Sequence, residues 1–275
     1  METVDALERQ SDLVPGTYSA RGLDIRFSTA GIDFNYGPGV FGPVPEARKL
    51  DDIRESLLDP SCKGPDPVYN IAMDVGRQEH IGVLREKMLL FGIVVYAKGR
   101  LGKEPVRSQG HVHAISPHSG WSAPELFEFW HGRAVVYGQE STTEDPGRCF
   151  AVQVKAGDVV VIPPGWAHYV VNADPDNYMA FGAWCDRQYG FVYDVVRARG
   201  GLAWFPILSE HSILTWQSNP RYQYSPLTTR SARSYEDLGL LPGIPIYEQF
   251  ARRPETVDWV SLPERFKEYW GHFSP

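Results

Sequence analysis

The sequence predicts a mainly β protein whose central part forms a closed antiparallel barrel or a jelly roll. From about residue 68 to residue 196, short apolar and β-branched runs follow one another without a helical interlude, each ended by a turn signal. Across 275 residues, 26 glycines and 22 prolines suit short strands and turns better than long helices. Two spaced histidine motifs inside the same stretch fit side chains that converge on a barrel interior.

Residues 1–67 read as an arm with one short helix. Gly37 to Pro45 is extended and poorly helical, and the spacing of Leu50, Ile53 and Leu57 predicts a helix over Glu46 to Leu58. Asp59-Pro60 closes it, because the residue before proline is pushed out of the helical region. Residues 68–205 form the barrel. Leu89 to Ala97 is continuously apolar, as a strand buried on both faces would be. Glu125 to Trp130, Arg133 to Gln139, Phe150 to Val154, Val159 to Ile162, Tyr169 to Asn172 and Tyr178 to Trp184 follow as strands. Residues 206–275 form an extension that packs on the barrel or on a partner subunit. Within it, Ser261-Leu-Pro-Glu264 has the form of a capping box and predicts a short helix through Phe266, Tyr269 and Trp270.

Composition removes several classes of function. The net charge is −7 and no basic block occurs, so neither nucleic acid nor an anionic membrane surface is an expected partner. The longest apolar run, Met88 to Ala97, falls far short of the roughly 20 residues of a membrane span. Residues Met1 to Asp5 are acidic and lack the apolar core of a secretory signal. Cys62, Cys149 and Cys185 are odd in number and widely spaced, which points to reduced thiols in the cytoplasm.

The motifs carry the chemistry. Gly110-His111-Val112-His113 is followed by Glu125 and then by Gly132; further on, Gly157, Pro163, Gly165, His168 and Asn172 stand in fixed spacing. Alternate residues of a strand share a face, so His111 and His113 point the same way. Glu125 returns on the next strand and His168 on a later one. Glu125 and Glu128, three apart, face opposite sides of their strand. The spacing to the turn at Gly132 selects Glu125 as the inward carboxylate and leaves Glu128 on the outer face. His118 and His131 are expected to be solvated. Three imidazoles and a carboxylate make a mononuclear site for a borderline divalent metal.

These two half-motifs resemble those of the cupin superfamily. A closer resemblance, over residues 45–205, is to the cupin-type (archaeal-type) phosphoglucose isomerases. It rests on Arg48-Lys-Leu-Asp-Asp52, Asp66-Pro-Val-Tyr69, Gly102-Lys-Glu104, Ser108-Gln-Gly-His-Val-His113, Val161-Ile-Pro-Pro-Gly-Trp-Ala-His168, Val171-Asn172 and Tyr189-Gly190. The resemblance implies interconversion of glucose 6-phosphate and fructose 6-phosphate with one Fe2+, Mn2+ or Zn2+ per subunit, held by His111, His113, Glu125 and His168. Glu125 would move a proton through a cis-enediol, unless a metal-assisted hydride shift replaces it. Tyr189 would bond a substrate oxygen, and Tyr69, Ser108 and Gly110 would line the sugar-phosphate end. A homodimer is also implied, with the apolar strand Leu89–Ala97 as a candidate interface.

The chain departs from that family at several points. Val94 stands where a phosphate-binding threonine is usual, and Arg107, Arg133 or Arg187 are candidates to replace it. Arg187-Gln188 replaces a His-Asp pair, the loop between His113 and Glu125 is long, and the chain continues well past Tyr222. Two other readings of the same donors stay open. One is an iron-dependent dioxygenase, with Phe127, Phe129, Trp166 and Trp184 as an apolar lining. The other is a non-catalytic sugar-binding cupin.

Overall fold

The structure, a computed structural model, describes residues 17–28 and 30–275. The expectation drawn from Met1 to Asp5 lies outside the described residues. Two sheets face each other. One has six strands in the order Val159–Ile162, Glu125–His131, Met179–Asp186, Leu89–Tyr96, Tyr69–Met73, Glu46–Arg48, all neighbours antiparallel. The other orders Ala167–Asn172, Arg133–Gln139, Cys149–Lys155 and Leu227–Ser231, the last running parallel to its neighbour. This is the expected cupin jelly roll, with strand limits within a few residues of those read from the sequence. Gly132 makes the tight turn between the sheets at φ +81°, where an added Cβ would meet the Tyr178 carbonyl at 2.8 Å.

Between the sheets lie Val94, Phe127, Phe129 and Phe181 from one side and Val136, Val152 and Val170 from the other. The Leu89–Tyr96 strand shows why its sequence has no polar alternation. Leu90, Val94 and Tyr96 face inward, while Leu89, Phe91, Ile93 and Val95 face outward beneath a second apolar layer. That layer belongs to the same chain: Phe27 and Phe34 from an N-terminal hairpin, and Tyr247, Phe250, Trp259 and Phe273 from the C-terminal extension. Trp184 is sandwiched there, stacked on Tyr247 at 5.5 Å and against Phe250 at 4.6 Å. The strand proposed as a dimer interface is therefore internal to one chain. Among the described residues, no helix is long and apolar enough to cross a membrane.

Three local expectations are corrected. The stretch from 68 to 196 does hold a helical interlude, the 3-10 turn Gln78–His80 and the helix Ile81–Glu86 that precede Leu89. Glu46–Arg48 is a strand, pairing with Tyr69–Ile71, and the helix shrinks to Leu50–Ile53 followed by a 3-10 turn at Arg54–Ser56. Leu50, Ile53 and Leu57 are buried as their spacing requires, but the open edge beside Tyr69 claims the residues before them. The capping box is not formed either. Ser261 ends the preceding helix Asp258–Ser261, and Pro263 starts the next turn at Pro263–Phe266. The aromatics that follow, Phe266, Tyr269 and Trp270, do pack against the barrel's outer layer.

Glu128 faces outward as expected, yet it is wholly buried beneath the terminal segments. It accepts hydrogen bonds from the Ile246 amide at 3.1 Å and the Trp130 indole at 3.3 Å, and pairs with Arg21 at 3.1 Å. Burial outweighs these partners and pushes its carboxyl up from 4.5 to about 7. An acid with a raised folded-state pKa costs stability as pH rises from its unfolded value to its folded one, here between 4.5 and about 7. Glu128→Gln removes that penalty. In denaturant unfolding the variant should gain on the order of 2–3 kcal/mol over the wild type between pH 5 and pH 8. A pH-independent difference would mean that Glu128 ionises freely in the fold.

Candidate metal centre

The donors are placed by backbone pairing. Val112–His113 is a two-residue strand against Phe191–Val192, and His111 bridges His168 through reciprocal amide-to-carbonyl bonds of 3.1 and 3.0 Å. That bridge sets the two rings 4.4 Å apart, with His113 at 5.0 and 5.2 Å from them. Glu125 opens the strand that pairs with Ile162 on one side. The ligand atoms of His111, His113, Glu125 and His168 all lie within 4.8 Å of one another. Neither Glu128 nor His118 nor His131 belongs to the cluster. His118 is exposed, and His131 is half-buried at the end of its strand.

Second contacts orient the rings. His113 Nδ1 lies 2.8 Å from the Ala123 carbonyl and His168 Nδ1 lies 3.3 Å from that of Trp166. A carbonyl only accepts, so both Nδ1 atoms carry the proton and both Nε2 atoms turn bare lone pairs inward. Glu125 Oε2 lies 3.1 Å from His168 Nε2 and 3.3 Å from His113 Nε2, and the buried Nε2 of His111 has no hydrogen-bond partner. Lone pairs facing a buried carboxylate call for a cation among them.

Where no cation is bound, only protonated imidazoles can supply that charge, and the proton affinities reflect this. Burial would raise Glu125, but the His113 and His168 contacts outweigh it and hold the carboxyl well below its usual range. Burial works against a charge on His113, yet Glu125 raises it. Burial and neighbouring imidazoles push His111 well down, and burial also lowers His168. Together these four side chains could hold a divalent metal ion.

Sequence reasoning missed a contact that crosses the sheet. The Cys185 thiol donates to Glu125 Oε1 at 3.1 Å, and burial keeps that thiol protonated. Oε1 and Oε2 thus have separate partners.

A cavity of about 50 Å3 opens on the cluster. Tyr69, stacked on Tyr96 at 5.0 Å, lines it with Ser108 and Gly110. Ser108 Oγ also accepts the Val170 amide at 3.2 Å. Tyr189 does not line the cavity; its ring packs at 5.0 Å on Phe191, which does, as does Tyr193. Val94 contributes an apolar wall with Phe127 and Phe181. Of the four aromatics expected to form an apolar lining, only Phe127 does so. Trp184 lies outside the barrel wall and Trp166 stacks on Phe150.

None of the three arginines suggested as phosphate ligands lines the cavity. Arg107 is buried and fully engaged by Glu104 and the carbonyls of Ser56, Ser108 and Gln109. Arg187 forks onto Asp74 and Arg133 pairs with Asp174. The cavity arginine is Arg48, from the strand that the sequence disguised as a helix.

The sequence model of the glucose-6-phosphate isomerase (GPI) family matches residues 49–223, a span that holds all four donors. The chain belongs to the glucose-6-phosphate isomerase family. The glucose-6-phosphate isomerase of Thermococcus kodakarensis is 27% identical over 175 residues, covering 62% of this chain and 85% of that protein. That of Pyrococcus abyssi is 25% identical over 197 residues, covering 70% and 95%. Among solved structures, an oxalate oxidase in complex with the substrate analogue glycolate overlaps 39% of this chain and 46% of its own, at 23% identity and a TM-score of 0.29. Residues beyond 223, with most of the layer that covers the outer sheet, lie outside the family match.

After dialysis against chelator and reloading, elemental analysis should find about one divalent ion per chain. His111→Ala and His168→Ala should each lose most of it, whereas His118→Ala should retain it. Equal occupancy in all three variants would remove the cluster as the binding site.

Proposed function

We propose that this chain is a metal-dependent aldose–ketose isomerase that interconverts glucose 6-phosphate and fructose 6-phosphate, or a closely related sugar phosphate. The observation that carries the reading is the buried set of three imidazoles and Glu125 at the floor of a cavity, in a chain whose family bears that activity's name. A divalent ion held by these donors supplies Lewis acidity toward the vicinal C1 and C2 oxygens of an open-chain sugar.

The chain's own groups do the rest. Glu125 is the base, moving a proton between C2 and C1 through a cis-enediol. Its two oxygens support that role, because Oε2 faces the imidazoles while Oε1 accepts the Cys185 thiol. Tyr69, Ser108 and Gly110 contact the sugar-phosphate end. Tyr189, which packs on Phe191 and does not line the cavity, bonds a substrate oxygen once Phe191 has moved.

Such movement is needed on volume alone. The cavity holds about 50 Å3, whereas pockets for small ligands run to roughly 300–1,000 Å3. Phe191 and Tyr193 are half-buried side chains at its edge, and their displacement admits the sugar.

Metal-replete protein should convert fructose 6-phosphate to glucose 6-phosphate without oxygen, read by a coupled dehydrogenase. Glu125→Gln should lose ~10²–10⁴-fold in kcat. Absence of glucose 6-phosphate above background overturns the reading, and oxygen consumption by the iron-loaded protein would move the chain to the dioxygenase class.

A further inference from the structure

The cavity holds more donors than the metal cluster uses. Besides His111, two of its lining residues carry buried side-chain nitrogens without a hydrogen-bond partner: Arg48 Nε and Gln109 Nε2. Unmet buried donors are costly and call for an acceptor that the protein itself does not supply.

The surroundings fix how each donor is presented. Arg48 Nη1 donates to Glu46 at 2.7 Å, while Nε is buried without a partner. Arg197 Nη2 donates to Gln109 Oε1 at 3.3 Å. Arginine has no acceptor, so the amide must turn its oxygen to Arg197 and its NH2 away from it. Tyr193 joins the two groups. It lines the same cavity, Arg197 sits over its ring at 5.4 Å, and its hydroxyl feels the charges of both Arg48 and Arg197.

Charge and position separate this group from the metal cluster. Glu125 is the one acidic residue among those lining the cavity. In the six-stranded sheet its strand lies four places from that of Arg48. A ligand held both by the donors near Glu125 and by Arg48 would therefore present oxygen to each of them. Val94, Phe127 and Phe181 make an apolar wall that has nothing to offer a charged group.

We infer that Arg48 and Gln109, with Gln109 positioned by Arg197, form an oxyanion subsite that seats the anionic end of the substrate. A phosphoryl group and a carboxylate share the required chemistry, an oxygen-rich anion accepting several N–H donors. The inference rests on the sugar-phosphate reading above, which names the phosphoryl group as the occupant.

Calorimetric titration of the full-length, metal-loaded protein tests it, with fructose 6-phosphate, fructose, inorganic phosphate and glucuronate as separate probes. The wild type should bind fructose 6-phosphate about tenfold or more tightly than fructose, the yield of one or two charge-assisted bonds. Arg48→Met should erase most of that preference and leave fructose unchanged, Arg48→Lys should restore part of it, and Gln109→Leu should lower it about threefold. Wild-type preference in both Arg48→Met and Gln109→Leu overturns the subsite. So does an equal loss for fructose and fructose 6-phosphate, since that reports damage to the fold.

The two proposals fail separately. Isomerisation with an unchanged KM in Arg48→Met overturns the subsite and leaves the activity. Binding of inorganic phosphate that depends on Arg48, in a protein that does not isomerise, keeps the subsite and overturns the activity. Arg48-dependent binding of glucuronate, without binding of fructose 6-phosphate, keeps the subsite and assigns it a carboxylate.

Discussion

A carboxylate buried within an apolar barrel must be compensated, and Glu125 places that demand at the centre of this molecule. Ionised carboxylates are not left alone at low dielectric: they gain a proton, a cation or several donors. Around Glu125 the chain supplies three imidazoles and a thiol, and two of the imidazoles are held with their lone pairs inward by backbone carbonyls. His111 alone in that set keeps partial exposure, and its Nε2 is itself buried. The arrangement is stable with a positive charge in its midst, which is why the fold's geometry and its chemistry cannot be separated.

The rest of the fold keeps that arrangement rigid. The bridge between His111 and His168 closes one side of the barrel, and the turn at Gly132 brings the two sheets face to face. On the outside, the terminal segments cover the six-stranded sheet with Phe27, Tyr247, Phe250 and Trp259, all fully buried. Burying each such side chain contributes ~1.5–3 kcal/mol, so this layer is a large part of what holds the strands behind the site. Glu128 lies under it, tying the strand that bears Glu125 to Arg21 and to the first residue of the helix Ile246–Arg252.

What could be read from the sequence was what depends on local spacing. The four donors, the inward choice of Glu125 over Glu128 and most barrel strands follow from alternation and from glycines at fixed positions. What could not be read depends on distant partners. Arg48 was hidden because the apolar spacing of Leu50, Ile53 and Leu57 suggests a helix, while the strand before them forms only against Tyr69–Ile71. The Cys185–Glu125 contact joins residues from neighbouring strands far apart in the chain. Arg107 looked available for phosphate because no local pattern reveals a side chain spent on Glu104 and Ser56. Leu89–Ala97 was misplaced as an interface for a related reason: a doubly apolar strand announces that both faces are covered, not which chain covers the outer one.

On the proposed reading, one ion among these four donors and the base Glu125 make a single catalytic unit. Stepwise loading of metal-free protein with Mn2+ tests it most directly, with ion content and fructose 6-phosphate turnover read on the same samples. Activity should rise in proportion to occupancy and level off at about one ion per chain. Glu125→Gln brought to the same occupancy at higher Mn2+ should stay inactive. Full turnover in the metal-free chain, or in the loaded Glu125→Gln variant, would contradict the account.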